Sequence, residues 1–198
     1  MMVAIVLGAG ASRRLGRPKQ TLPLGDTSLL GWIVCDAERS SVDRVVVVVD
    51  TASRAALPGL ARGRSLLVEP SEPGDGCSGS LRAGLDAAGE CDAVMLLLGD
   101  MPGVDAGVID PVAADWRARR PWGMVTRYHD GLGHPFVFAA EAIPVLRGLH
   151  GDKAVWKLVE GAGGDRIAES AVARNRPIDV DAPEDYRAVL DAFSPGAA

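Results

Sequence analysis

Residues 3–19 read VAIVLGAGASRRLGRPK. Five apolar residues, Val3-Ala4-Ile5-Val6-Leu7, run straight into Gly8-Ala9-Gly10-Ala11-Ser12, and Arg13, Arg14, Arg17 and Lys19 follow. An unbroken apolar run of this kind is the pattern of a strand covered on both faces, as in a parallel sheet. A turn of small residues at the carboxyl end of such a strand lets a ligand approach the backbone closely. The cations that follow put positive charge beside it. Accessible backbone and clustered cations together suit a polyphosphate.

Two common phosphate loops do not fit. A dinucleotide-binding turn needs G-x-G-x-x-G, with an acid about 20 residues further on. Gly8 and Gly10 satisfy the first half, but Arg13 occupies the third glycine position, and Asp26 lies in a turn flanked by proline and glycine. A P-loop needs G-x-x-x-x-G-K-[ST], and no Gly-Lys-Ser/Thr follows Gly10. The plain alternative is a glycine-rich turn with a solvated basic loop.

The stretch resembles a third signature, the L-[AG]-[AG]-G-x-S-x-R-[ML]-G-x-x-K loop of nucleotidyltransferases, running here from Leu7 to Lys19. Gly8 stands where alanine is usual. The continuation Pro18-Lys19-Gln20-Thr21-Leu22-Pro23-Leu24 is most similar to the P-K-Q-L-L-P of molybdenum cofactor cytidylyltransferases. Guanylyltransferases typically carry Asp where Pro18 stands. The resemblance implies a nucleotidyltransferase of the Rossmann-like, three-layer, GT-A-like type with Mg²⁺ as cofactor. It implies transfer of a nucleotidyl group, with CTP favoured, to a phosphorylated acceptor such as molybdopterin. Leu7, Gly8, Ala9, Gly10 and Gly16 would then bind the nucleotide, and Arg14 and Lys19 its triphosphate. A molybdoenzyme or a chaperone is the implied protein partner.

Length and composition fit one globular domain. The chain has 198 residues, 47% hydrophobic and 24% charged, with a net charge of -5. An acidic chain is a poor nucleic-acid binder, since a phosphate backbone needs a basic face. The cysteines, Cys35, Cys77 and Cys91, are widely spaced and odd in number, which fits a reducing cytoplasm rather than a disulfide framework. No apolar run is long enough to span a membrane. Lysines number only 3 against 18 arginines, which draws attention to Lys19, Lys153 and Lys157.

Apolar runs alternate with helical patterns. Strands are expected over 45–49, 65–68, 93–98, 124–128, 135–138 and 178–180. Helices are expected from a Thr27-Ser28 cap to 39, and over 53–61, 80–88, 108–119, 140–146, 153–160 and 183–193. This alternation predicts a mostly parallel sheet covered on both faces, in one domain over 1–193 with a loose tail at 194–198. Ligands then sit at the carboxyl ends of the strands.

Asp100 follows the run Ala93-Val94-Met95-Leu96-Leu97-Leu98-Gly99. An acid at that edge can hold Mg²⁺ against phosphate oxygens; it can also be a turn residue ahead of Pro102. The segment resembles the family's L-x-G-D-x-P, whose aspartate is a metal ligand. Ser78, in Gly76-Cys77-Ser78-Gly79-Ser80, lies in a segment similar to one near the family's nucleoside, and Ser80 suits an N-cap. Gly133-His134-Pro135 and Gly151-Asp152-Lys153 resemble cytidylyltransferase motifs, which implies acceptor-binding roles for His134 and Lys153. His150 reads as a structural histidine. Asp181, in Asp179-Val180-Asp181-Ala182-Pro183-Glu184-Asp185, is either the start of a capping box or, as the resemblance implies, a second metal ligand. Two other classes remain open on the sequence: a nucleotidyltransferase for sugar phosphates or other metabolites, and a non-catalytic nucleotide- or cofactor-binding chaperone.

Overall fold

The computed structural model describes the whole chain except residues 10–16, 58, 61–62, 71–75, 152, 162–163 and 194–198. Its central strand is β1 (Met2–Leu7). Successive side chains on a strand point to opposite faces. Met2, Ala4 and Val6 therefore enter one apolar layer, and Val3 and Ile5 the other. The neighbouring strands repeat the pattern. In β4 (Arg44–Val48) Val45 and Val47 oppose Val46 and Val48; in β6 (Ala93–Leu98) Ala93, Met95 and Leu97 oppose Val94 and Leu96. Two buried faces are the reason these strands read as unbroken apolar runs.

Between β1 and β4 lie a short hairpin, β2 (Pro23–Leu24) with β3 (Thr27–Ser28), and helix α1 (Leu29–Arg39). The Ser28 side chain caps α1 by accepting from the Gly31 N–H at 3.0 Å, as the sequence predicts. Then follow α2 (Thr51–Ala56), β5 (Ser65–Val68), α3 (Gly76–Ala88), β6 and α4 (Ala106–Arg119). Next come β7 (Gly123–Tyr128), β8 (Gly131–Ala139), α5 (Ile143–Arg147), α6 (Ala154–Glu160), β9 (Ile167–Ala171) and α7 (Pro183–Ala192). The main sheet has the order β5-β4-β1-β6-β8-β7-β9, parallel except for β8, which runs against both its neighbours. Helices α1 and α4 cover one face and α3, α5 and α6 the other. Among the described residues no helix is long and apolar enough to cross a membrane.

Several expectations need correction. Residues 178–180 are not a strand: the Val180 N–H bonds the Asp100 carbonyl at 3.1 Å instead of entering a ladder, and Pro177 and Pro183 flank the segment without donors. The strand at this end of the chain is β9, which the sequence does not announce. It lies at the sheet edge with only Ser170 buried, so its pattern is weak. Helix α3 starts at Gly76, earlier than expected, so Ser80 is inside it and no N-cap. The Ser80 hydroxyl lies 3.3 Å from the Gly76 carbonyl, one turn back. Strand β8 is longer than predicted because a register shift opposite Val125/Thr126 lets it continue past His134 and Pro135. A bulge is where a strand tolerates a proline.

The chain order makes the site. From β1 the sheet grows outward through β4 and β5, then returns to pair β6 with the other side of β1. The crevice beyond the paired ends Leu7 and Leu98 is therefore a topological switch point, where open α/β sheets bind ligands. Helix α7 ties the end of the chain to this edge. Val189 and Val180 pack with Leu22, Leu24 and Leu29, and the Tyr186 hydroxyl donates to the Pro23 carbonyl at 2.7 Å.

Candidate active site

At the switch point the backbone is tight. The Gly8 N–H donates to the Val48 carbonyl at 2.8 Å and the Gly99 N–H to the Leu7 carbonyl at 2.9 Å. A Cβ on Gly8 would stand 2.9 Å from the Leu30 methyls, and one on Gly99 only 2.9 Å from the Gly8 Cα. The alanine usual at residue 8 would press on Leu30 here, so glycine suits this core. Leu7 and Ala9 are half-buried at the same edge. Ser78 is buried in the first turns of α3, and a helix connecting parallel β5 to β6 begins at this carboxyl edge. Gly10, Arg14 and Gly16 lie outside the described residues.

Four charged side chains converge beside this edge. The Lys19 Nζ is 2.5 Å from Asp100 Oδ2, 2.8 Å from Asp181 Oδ1 and 3.9 Å from Asp179 Oδ1. Each element contributes for a local reason. Asp100 follows β6, whose first five residues are buried. Lys19 opens a short 3-10 turn over Lys19–Thr21. Asp179 and Asp181 are exposed on either side of the buried Val180, and both reach Lys19. Burial alone would lower the Lys19 pKa, but Asp100, Asp181 and Asp179 outweigh it and hold the ammonium above its ordinary value. Burial pushes the Asp100 carboxyl up against the attraction of Lys19. Burial, then the Asp100 charge, push Asp179 up to about 6, with Lys19 opposing.

The three carboxylates each offer an oxygen within 4.8 Å of the others. Asp100 Oδ1 is buried and has no hydrogen-bond partner among the described residues. Hard oxygen donors at this spacing, one of them unsatisfied, fit a divalent cation of the Mg²⁺ or Mn²⁺ kind. Asp181 is not the helix cap. Ala182 occupies that position, and the Asp185 carboxylate accepts from its N–H at 2.8 Å and from that of Asp181 at 3.1 Å. Asp181 does not end a strand either; the closing segment reaches Asp100 as irregular chain.

Next to the carboxylates lies a cleft of about 340 Å³, lined by Asp179, Asp130, Arg176, His134 and Trp156 among others. His134 is buried at the bulge in β8. Its ring lies 4.0 Å from that of Phe136 and edge-on to Trp156 at 6.2 Å. Burial pushes its pKa down to about 4 against a backbone contact that raises it, so near neutrality it is uncharged. Nδ1 lies 3.3 Å from the Leu96 carbonyl, which can only accept. The proton is therefore assigned to Nδ1 and Nε2 is left as an acceptor. Tyr128 donates to the His134 carbonyl at 2.5 Å and Thr126 to that of Pro135 at 2.8 Å, pinning the bulge. Lys153 is exposed at the N-cap of α6 with a left-handed φ of 58° and is not among the cleft-lining residues.

Sequence reasoning missed Asp179, Asp130, Arg176 and Trp156 as site residues. Only Asp179 had a local clue, its Asp-x-Asp spacing with Asp181.

A switch-point edge with small-residue backbone, a lysine and converging carboxylates is the equipment of a protein that handles nucleotide phosphates. Residues 4–170 match the model of the MobA-like NTP transferase domain, and the chain belongs to that nucleotidyltransferase family. It is 27% identical to the purine catabolism protein PucB of Bacillus subtilis, over 98% of each chain. It is similar to the crystal structure of Rv0371c from Mycobacterium tuberculosis, with a TM-score of 0.82 and 36% identity over 96% of this chain and 97% of that one. A structure of Rv0371c in complex with manganese gives 0.79 and 35%, over 96% and 98%. A 3-deoxy-manno-octulosonate cytidylyltransferase from Bradyrhizobium is 32% identical over 57% of this chain and 45% of that protein.

Proposed function

We propose that this protein transfers CMP from CTP to the phosphate of a molybdopterin-type acceptor, releasing pyrophosphate in a Mg²⁺-dependent reaction. The observation that carries the reading is the convergence of Lys19 with Asp100, Asp179 and Asp181 at the switch-point edge, beside a cleft with an aromatic wall. An acceptor phosphate oxygen bonds to the α-phosphorus of CTP. The bond from that phosphorus to the bridging oxygen breaks, and its electron pair leaves with pyrophosphate. Lys19, with Arg14 from the preceding loop, stabilises the triphosphate and the charge that develops on the leaving group. The backbone of Leu7, Gly8, Ala9 and Gly10, with Gly16 and Ser78, holds the nucleoside and its phosphates. Asp100 and Asp181 would hold the divalent cation, with Asp179 beside them; when bound it withdraws charge from the phosphorus under attack. The manganese in the related Rv0371c structure supports a metal in this family. His134 and Trp156 form the wall for the acceptor's ring, and Lys153 stands at the start of the helix that carries Trp156. Positioning and electrostatics supply the catalysis, as in phosphoryl transfer generally.

Pro18 ahead of Lys19, the Gly133-His134-Pro135 segment and the cytidylyltransferase relative support CTP over GTP. The test is pyrophosphate release across the four NTPs with Mg²⁺ and molybdopterin as acceptor. Fastest turnover with CTP is expected. Faster turnover with GTP would overturn the base assignment, and release only with a sugar phosphate would overturn the acceptor. Nucleotide binding with no release from any acceptor would make the protein a carrier that delivers cofactor to a molybdoenzyme.

A further inference from the structure

We infer that Arg176 is the residue that grips the phosphate of the acceptor. This deepens the reading of the protein as a nucleotidyltransferase and rests on it only for the identity of that acceptor. Arg176 lies in the irregular segment between β9 and α7 and lines the cleft beside the carboxylates. One carboxylate fixes both its main chain and its side chain. Asp130 accepts from the Arg176 backbone N–H at 2.8 Å through Oδ1, and from its Nε at 3.2 Å through Oδ2. The stem lies along a strip of β8 that has no side chains in the way. A Cβ on Gly131 would stand 3.5 Å from the Arg176 Cζ, and one on Gly133 would stand 3.4 Å from its Cδ. Gly131 also has a φ of +144°, a conformation that other residues rarely adopt. The glycines of the Gly131-Leu132-Gly133 segment are thus a bed for this arginine.

What the clamp leaves over is chemically specific. The guanidinium is held through Nε, and neither η-nitrogen has a partner among the described residues. The side chain is about half exposed, at 48%. A guanidinium held along one edge offers its remaining N–H groups as a rigid fork, the geometry that matches phosphate oxygens.

Charge gives the second argument. Among the described residues lining the cleft, Asp130 and Asp179 are acidic, His134 is neutral, and Arg176 is the one cation. A phosphorylated ligand entering a cleft otherwise walled by acids and rings needs that cation. Lys153, which the sequence suggested for the task, does not line the cleft. Arg176 is also near the reacting centre. It precedes Asp179 by three residues, which limits their separation to about 10 Å of extended chain, and Asp179 belongs to both the cleft and the carboxylate cluster. A phosphate held by Arg176 stands beside the place where the nucleotide's α-phosphorus must lie. The ligand class is a planar, phosphorylated small molecule whose ring meets His134 and Trp156.

The test uses phenyl phosphate, a simple aryl phosphate monoester, titrated calorimetrically into the full-length protein without nucleotide or metal. It is paired with steady-state kinetics using CTP, Mg²⁺ and molybdopterin. Arg176→Met is expected to weaken phenyl phosphate binding and raise the acceptor KM by about 30-fold, as befits loss of a charge-assisted fork. The KM for CTP should move by less than about threefold, because the inference assigns Arg176 to the acceptor and leaves the nucleotide to Lys19 and the opening loop. Arg176→Lys, which keeps the charge but not the fork, should recover part of the loss and guards against misfolding of the first variant. Wild-type levels of phenyl phosphate binding in Arg176→Met would overturn the inference and leave nucleotidyl transfer standing, as would equal losses for CTP and acceptor. Arg176-dependent phenyl phosphate binding with no pyrophosphate release from any acceptor would support the phosphate site and overturn the enzyme reading. No phenyl phosphate binding by the wild type, with an unchanged acceptor KM in both variants, would overturn the inference as well.

Discussion

The Lys19 ammonium occupies the space that a divalent cation held by Asp100 and Asp181 would need. It lies 2.5 Å from Asp100 and 2.8 Å from Asp181, with Asp179 at 3.9 Å. A metal ion that takes these oxygens must first displace it. Lys19→Met keeps the stem and removes the charge. The contact with the buried Asp100 is a charge-assisted hydrogen bond, worth about 1.5 kcal/mol at the low end of its range. Asp181 is 59% exposed, so its contact is discounted for solvent to about 0.5 kcal/mol. The metal is spared about 2 kcal/mol, which converts to roughly 30-fold tighter binding. Titration with Mn²⁺, following the free ion by electron paramagnetic resonance without nucleotide, reads this directly. The melting temperature without metal should fall, because three carboxylates lose their counter-charge, and Mn²⁺ should restore it. Turnover should drop despite the tighter metal, and kcat more than the CTP KM, since Lys19 strengthens its contact as pyrophosphate leaves. Mn²⁺ affinity equal to or weaker than wild type would refute the competition between ammonium and metal. A raised KM with unchanged kcat would reduce Lys19 to a ground-state anchor.

Asp181→Asn should keep its melting temperature, because Asp185 and not Asp181 caps α7, while losing at least about tenfold in rate or Mg²⁺ affinity; full activity across a Mg²⁺ titration would remove Asp181 from the metal site. Asp185→Ala should instead lower stability by about 1 kcal/mol in urea unfolding, the usual value of a lost cap interaction. Gly99→Ala should cost roughly 2 kcal/mol of stability and weaken CTP binding, since the new methyl meets the Gly8 and Leu7 backbone as well as the buried Leu30 side chain. Calorimetric melts at pH 4.5 and 7.5 test His134: its folded pKa of about 4 lies below the unfolded value of 6.5. The unfolded chain therefore binds the extra proton first, and stability is lost as pH falls from 6.5 toward 4. His134→Gln should lose less over that interval, and an equal loss would contradict the assignment.

The parts legible in the sequence share a physical cause. Strands β1, β4 and β6 are buried on both faces, so each had to be an apolar run, and its end marked the ligand edge. Leu7-Gly8 and Gly99-Asp100 were visible for that reason. Ser28 was legible as a cap because a cap is a local hydrogen bond. Strand β9 left little trace, because its stability comes from one parallel neighbour rather than from burial. The start of α3 was hidden because Gly76, Ser78 and Ser80 prefer turns in isolation and are helical here under the packing of Leu81 and Leu85.

Local chemistry thus determined by sequence alone the layered parallel sheet, the edge where its ligands are expected, and Lys19 and Asp100 as charged candidates near it, while Asp181 was singled out by the family resemblance. Tertiary structure decided how those charges meet. Lys19 and Asp181 are separated by 162 positions and are joined because Val180 and Val189 bury themselves against the β2–β3 hairpin. Arg176 lines the cleft with its Nε held by Asp130, 46 positions earlier, over two glycines. Neither arrangement has a local signature. The first depends on long-range burial of a few apolar residues and the second on a long-range charge pair, and each places its charges without appearing in the pattern around them.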